Sequence, residues 1–304
     1  ADSYRRSLDL ATAVATVRYH VSPDAIEGPM ASYAREVFAS HVDQLLVVYV
    51  TSSVGGTVGF RVGLDGDEQP FAVQADGPDG ISMHVLAREH THSDGRCGVD
   101  GYAHLRVCAE GGQVSVQCAQ IVVEGSDSAT LLLAFASTLD DADPLATTRG
   151  RTAAGAAMPY AELKQRHIAD HQALFGRCSL DLGVSPLADR PINERMAAVQ
   201  AGGNDPALAA LFFQFGRYML IGSSRPDSPL PAHLTGVWSD NGDALHPVVT
   251  IKPPQPFAEG TPVAVDVEVA DLDGTGQVGE QCGNIARTAL LSAVWSPAND
   301  SSPK

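Results

Sequence analysis

Aromatic residues are scarce in this chain, 6% of 304 positions, and charged residues supply only 18%. Turn-forming residues are not scarce, with 29 glycines and 19 prolines. That balance argues against one large helical bundle and for a fold with many turns, as in all-β modules. Cysteine is also sparse: Cys97, Cys108, Cys118, Cys178 and Cys282 make an odd count with no C-x-x-C spacing. A disulfide-dense scaffold and a structural zinc site are both disfavoured by such usage. Cys108 and Cys118 flank Glu110-Gly111-Gly112, an expected hairpin turn. A disulfide between them stays open, with buried free thiols preferred. Basic residues number 20 against 36 acidic ones, for a net charge of −16 and a pI near 4.8. A surface this acidic repels phosphate backbones and anionic lipid, so neither nucleic acid nor membrane is an expected partner. Long apolar runs are missing as well. The longest, around Leu45–Val50 and Leu131–Ala136, are strand-sized. The opening Ala1-Asp2-Ser3-Tyr4-Arg5-Arg6 has no apolar segment behind its arginines and does not read as a signal peptide. The compartment is left open.

Hydrophobic residues are present at 44%, enough to bury a core, and the length suits roughly two domains. From Ala13 to about Thr138 the pattern is short-range alternation. Runs such as Tyr33–Ser40, Gln44–Ser52, Thr57–Leu64, Ile81–Arg88, Tyr102–Ala109, Gln113–Val123 and Ala129–Ser137 are separated by turn clusters such as Asp65-Gly66-Asp67 and Asp76-Gly77-Pro78. This rhythm predicts an antiparallel sandwich with one packed and one wet face. Asp140–Gly155 reads as a linker of small and polar residues.

The period then changes. Tyr160, Leu163, His167, His171 and Leu174 recur at helical spacing. Ser179–Gly183 reads as a short strand, and Asn193-Glu194-Arg195-Met196 opens a short helix. Asp205 followed by Pro206 is a helix start, and Ala207–Gly222 is apolar on nearly every side. Thr261–Ala270 alternates like a strand, and Ile285–Trp295 reads as a short helix.

Four stretches carry a resemblance. The first is Tyr4-Arg5-Arg6-Ser7-Leu8-Asp9-Leu10 with Val17-Arg18-Tyr19. The second is Tyr33-Ala34-Arg35-Glu36-Val37-Phe38-Ala39-Ser40. The third is Tyr160-Ala161-Glu162-Leu163 with His167, Asp170-His171 and Leu180-Asp181-Leu182-Gly183. The fourth is Asp205-Pro206-Ala207-Leu208, then Phe213-Gln214-Phe215-Gly216-Arg217-Tyr218, Ser223-Ser224-Arg225-Pro226 and Leu234-Thr235-Gly236-Val237-Trp238.

In their order and spacing they resemble an internal fragment of glycoside hydrolase family 95, the α-L-fucosidase family, from about Tyr4 to Trp238. The resemblance implies a β-rich plus α fold: a partial antiparallel β-sandwich, a helical linker and the first helix of an incomplete (α/α)6 barrel. It implies a sandwich over 1–139, a linker with its helix over 140–203, and the start of the catalytic domain over 204–238. The stretch 239–304 is a divergent tail, possible disorder included.

The implied activity is inverting hydrolysis of terminal α-L-fucose, on a fucosylated oligosaccharide or glycan, in a family often secreted or held at the cell surface. Departures matter here. His233 and Thr235 stand where Asn and Gln are usual, and Ser239–Lys304 shows no Asn-x-Asn pair. The family's sandwich starts upstream of Tyr4. Its general-acid Glu and base-assisting Asp would lie past the last residue, so no catalytic residue is assigned and the chain is expected to be inactive.

His167-x-x-x-His171 has a metal-ligand spacing, but no Glu follows the first His, and a structural helix explains the pair. Glu89-His90-Thr91-His92 with Asp94 reads as a solvated loop. Asp271-x-Asp273-x-Thr275-Gly276 begins like a calcium loop but has Cys282 at its twelfth position, so an Asp/Gly turn is preferred. No metal or cofactor is assigned. Asp9, Arg5, Arg35 and Glu36 suggest charge pairs on the wet face, and Arg217 a structural pairing with a carboxylate. Arg225 and Trp238 are assigned as substrate-binding residues. The alternative to a hydrolase fragment is a non-catalytic sandwich that binds carbohydrate or protein.

Overall fold

A computed structural model describes residues 4–21, 31–66, 69–86, 99–139, 141–226, 248–252, 265–268 and 292–294. The first eleven strands are β1 (Arg5–Asp9), β2 (Val14–Val21), β3 (Ala31–Ser40), β4 (Leu45–Ser52), β5 (Val58–Asp65), β6 (Phe71–Ala75), β7 (Gly80–Leu86), β8 (Asp100–Glu110), β9 (Gln113–Gln117), β10 (Gln120–Ser126) and β11 (Ser128–Ser137). Four helices follow: α1 (Pro144–Ala156), α2 (Tyr160–Phe175), α3 (Ile192–Gln200) and α4 (Pro206–Ser223). Three short strands come last, β12 (Val248–Lys252), β13 (Val265–Glu268) and β14 (Ser292–Val294).

Among the described residues all pairings are antiparallel and build two sheets. One has the order β1-β2-β3-β4-β11-β8-β7-β6, the other β14-β13-β12-β5-β10-β9. Between them lies the main core. Leu46, Val48 and Val50 from β4 and Leu131, Leu133 and Phe135 from β11 meet Phe60, Val62 and Leu64 from β5 and Ile121 and Val123 from β10.

The outer face of the larger sheet is not wet at its centre. Leu45, Val47, Leu132 and Ala134 alternate with the inner residues and pack with Phe38 against Leu163 of α2. Strands β4 and β11 are thus buried on both sides. This explains why their sequences are almost unbroken apolar runs instead of strict alternations.

Helix α1 corrects the linker reading of Asp140–Gly155. Asp143 accepts a hydrogen bond from the Ala146 amide at 3.1 Å, and Pro144 opens the first turn. The helix has no apolar stripe because it needs none: Thr148, Thr152 and Gly155 form its buried face. Gly155 lets the helix lie close to the sheet, since a Cβ there would come within 2.5 Å of Leu45 Cδ1.

Two turns also differ from expectation. Gly111 and Gly112, at φ 70 and 65, do not close a hairpin; they carry the chain from β8 in one sheet to β9 in the other. A Cβ on Gly112 would sit 2.3 Å from the Glu124 carbonyl oxygen. The hairpin is at Cys118-Ala119, both with positive φ, between paired Gln117 and Gln120. It splits the Gln113–Val123 run into two strands. Cys108, Cys118 and Cys178 are free thiols; Cys97 and Cys282 lie outside the described residues.

Ser179–Gly183 joins no sheet. Asp181 accepts from the Gly183 amide at 2.8 Å, and Gly183 takes a φ of 103, outside strand geometry. Ser292–Val294, inside the stretch expected to be helical, pairs as a strand with β13. The pairing partners decide that outcome, and they are far away in sequence.

Candidate functional site

Pro159 precedes α2, which lies across the outer face of the larger sheet and is fixed there by side chains along its length. The Tyr160 hydroxyl and the Lys164 ammonium both donate to Glu36 Oε2, each at 2.5 Å. The Tyr160 ring stacks on Tyr49 with centroids 3.8 Å apart. Burial alone would raise the Glu36 pKa, but the Lys164 and Tyr160 hydrogen bonds outweigh it and the net shift is downward. Burial and the Glu36 carboxylate together push the Tyr160 phenol up. Arg166 donates to Asp43 Oδ1 at 2.9 Å, and Asp43 also accepts from the Ser40 hydroxyl at 2.7 Å.

Neither of the two spaced histidines meets a metal-type cluster. His167 Nε2 is 3.2 Å from the Ala13 carbonyl oxygen and His171 Nε2 is 2.8 Å from that of Leu10. Among the described residues no group of three or more His, Cys, Asp or Glu side chains is placed to hold a metal.

Helix α4 begins at Asp205, whose carboxylate accepts from the Leu208 amide at 2.9 Å and from Arg195 Nε and Nη2 at 2.8 and 2.9 Å. Among the described residues no carboxylate pairs with Arg217. It donates to the Cys178, Phe175 and Leu174 carbonyls and to Gln214, with its guanidinium 4.9 Å from the Phe175 ring centroid. It therefore caps the C-terminal end of α2, where the carbonyls lack helical partners.

Arg225 donates to Asp170 Oδ2 at 2.7 Å, joining the end of α4 to α2, and 14% of its side chain is exposed. Trp238, His233, Thr235, the Glu89–His92 turn and the Asp271–Gly276 turn lie outside the described residues. The charge pattern proposed for a wet face divides. Glu36 faces α2, whereas Arg35 is buried, donates to the Tyr19 hydroxyl at 3.0 Å and lies over the Tyr19 ring. Asp9 accepts from the Ala11 amide and the Thr12 hydroxyl within its own turn.

A cluster that sequence reasoning missed pins α1. Asp76 accepts from Arg149 Nε at 2.6 Å and from the Ser82 hydroxyl, and its Oδ2 is 3.6 Å from His104 Nε2. His104 Nδ1 is 2.5 Å from the Thr152 hydroxyl. Burial would raise the Asp76 pKa, but the Arg149 and Ser82 hydrogen bonds reverse it; burial pulls the His104 imidazole down. No local spacing signals this cluster, because its members come from a turn, two strands and a helix.

The chemistry of the assembled surface is therefore that of attachment. Glu36, Asp43, Asp76, Asp170 and Asp205 each neutralise a specific cation. No described helix is long and apolar enough to cross a membrane.

Comparison with known proteins fits both halves. Residues 1–142 match the model of the glycosyl hydrolase family 65 N-terminal domain, and residues 159–245 that of the glycosyl hydrolase family 95 catalytic domain. "Alpha-L-fucosidase 2" of Arabidopsis thaliana is 32% identical over 268 residues, covering 78% of this chain and 31% of that protein. "Probable alpha-fucosidase A" of Aspergillus niger is 40% identical over 83 residues, covering 27% of this chain and 10% of that protein. A solved "Putative kojibiose phosphorylase from human microbiome" shares 8% identity at a TM-score of 0.41 over 57% of this chain and 25% of that one, a likeness too slight to bear on function. The chain spans about a third or less of the length of these curated relatives. The chain therefore resembles a fragment of an α-L-fucosidase of glycoside hydrolase family 95: residues 159–245, which carry α2, α3 and α4, match that family's catalytic domain.

Proposed function

We propose that this chain is the scaffold portion of a hydrolase that removes terminal α-L-fucose from glycans with inversion, and that by itself it does not turn substrate over. The substrate class comes from the named relatives, both fucosidases. The silence rests on one observation: Glu36, Asp43 and Asp76, set between the sandwich and the helices, and Asp170 and Asp205, set between helices, are each engaged by a lysine or arginine. Inverting cleavage needs a protonated carboxyl and a second carboxylate roughly 6.5–9.5 Å apart, with an activated water between them. Hydrogen bonds from Lys164, Arg149 and Arg195 lower the pKa values of Glu36, Asp76 and Asp205, which makes these three poor proton donors near neutral pH.

Arg225 and Trp238 are the residues assigned to sugar contact. Arg225 can donate to hydroxyls from its exposed edge, and an indole face suits the apolar face of a pyranose. Nucleic acid and membrane are not partners in this reading, given the net charge of −16.

The test is incubation of the purified chain with a fucosylated lactose, with free fucose measured and the longer Arabidopsis relative run in parallel. The chain should release none. Calorimetric titration with the same sugar separates the alternative: heat of binding without release would favour a non-catalytic carbohydrate module.

A further inference from the structure

Two imidazoles join α2 to the turn between β1 and β2. A carbonyl oxygen only accepts hydrogen bonds, so the contacts to Ala13 and Leu10 place the proton of each neutral ring on Nε2 and leave Nδ1 bare. Nδ1 of His167 is buried and meets no hydrogen-bond partner, and the residue is 3% exposed. Its ring stacks on Phe38 at 4.6 Å, with His171 6.4 Å along the column and Phe175 5.2 Å beyond it.

The position of this column matters. The β1–β2 turn lies in the part matched by the N-terminal domain family, and α2 opens the part matched by the catalytic domain. We propose that His167 and His171 form an acid-released latch at this seam: neutral, they tie α2 to the β1–β2 turn; protonated, they let α2 detach while the sandwich stays folded.

The surroundings compensate a second proton only in part: the Thr12 backbone and Asp170 favour it on His167, and Asp170 and Asp9 on His171, each by less than burial opposes it. On α2 itself Asp170 is taken by Arg225, whose charge opposes a positive His171. From the end of β1, Asp9 is occupied by Ala11 and Thr12. From β3, Phe38 faces His167, and Glu36 is held by Tyr160 and Lys164. From α4, the Tyr218 ring meets His171 edge-on at 6.2 Å. A new N–H on His167 would be a buried cation without an acceptor, which is unfavourable by more than a lost neutral hydrogen bond. Burial, the largest influence, draws both imidazoles below their ordinary value, against the smaller upward pulls of the Ala13, Thr12 and Leu10 backbone hydrogen bonds and of the Asp170 and Asp9 carboxylates. In the released state both rings regain the ordinary value, so lowering the pH favours release.

The experiment is hydrogen exchange of the whole chain from pH 7.5 to 5.0, corrected for the intrinsic pH dependence of exchange. Protection of the α2 amides should fall by about tenfold per pH unit for each ring in the window between its docked and released pKa, while β4 and β11 stay protected. Gln carries an amide N–H close to the position of Nε2 and does not titrate, so His167→Gln with His171→Gln should flatten the response. Ring nitrogen shifts of the unmodified chain give a second reading, with Nε2–H tautomers expected at pH 7.5. Pre-existing Nδ1 protonation, α2 protection that ignores pH with the sandwich folded, or an unchanged response in the folded double variant would each overturn the latch.

Discussion

The Arg195 guanidinium grips the Asp205 carboxylate through two hydrogen bonds, 2.8 and 2.9 Å long, with both groups shielded from water. The same carboxylate caps α4, so one residue ties the first turn of α3 to the start of the next helix. The hydrogen bonds from Arg195 hold its pKa down to about 2. Arg195→Ala leaves that anion buried and unpaired, and the melting temperature should drop by on the order of 10 °C. Arg195→Lys should recover only part of the loss, because an ammonium cannot reproduce the planar two-point contact. Differential scanning calorimetry of the three proteins checks both statements.

Helix α1 offers a controlled pair. A Cβ at Gly150 meets nothing within 4 Å, so Gly150→Ala should stabilise by ~1 kcal/mol through helix propensity alone. A Cβ at Gly155 strikes Leu45 and Leu132, so Gly155→Ala should instead cost about 1–3 kcal/mol. Urea midpoints moving in opposite directions for two identical chemical changes on one helix would confirm how tightly α1 is seated.

Tyr160 and Lys164 share one oxygen of Glu36. Tyr160→Phe keeps the stack on Tyr49 and removes a hydrogen bond to a charged acceptor, an expected loss of about 1.5–3 kcal/mol. A double-mutant cycle with Glu36→Gln should show that the two changes are strongly non-additive.

The pH dependence has a definite sign. Burial lowers the pKa values of His104, His167 and His171 in the folded chain. The unfolded chain therefore binds protons first, and stability falls as the pH drops below about 6.5. The lowered Glu36, Asp76 and Asp205 carboxyls extend the loss to more acidic pH. Their contribution is full above the unfolded carboxylate range and is lost as pH falls through the folded values. Melting temperatures between pH 8 and 3 should decline in both windows.

The strands were legible because alternation reports burial directly, as in β5, where Val58, Phe60, Val62 and Leu64 all point inward. The linker helix and α4 were legible from Leu163, His167 and His171 at helical spacing and from Asp205-Pro206. What escaped were features decided by partners remote in sequence. Helix α1 hides because its buried face is Thr148, Thr152 and Gly155, small residues that leave no hydrophobic period. The Cys118-Ala119 hairpin hides because neither residue is a usual turn former, although both adopt positive φ. Arg217 was expected to meet a carboxylate and instead meets helix-end carbonyls, which no sequence spacing encodes. Of the site residues, Arg225 showed its sequence context but not its partner, since Asp170 lies on another helix.

The central claim is that this polypeptide holds helices onto a sandwich and performs no glycoside chemistry alone. Its most direct test is free fucose measured over many hours, with the chain at high micromolar concentration and a fucosylated lactose in excess. The account predicts release indistinguishable from buffer. Sustained release at a rate approaching that of the longer Arabidopsis relative would contradict it.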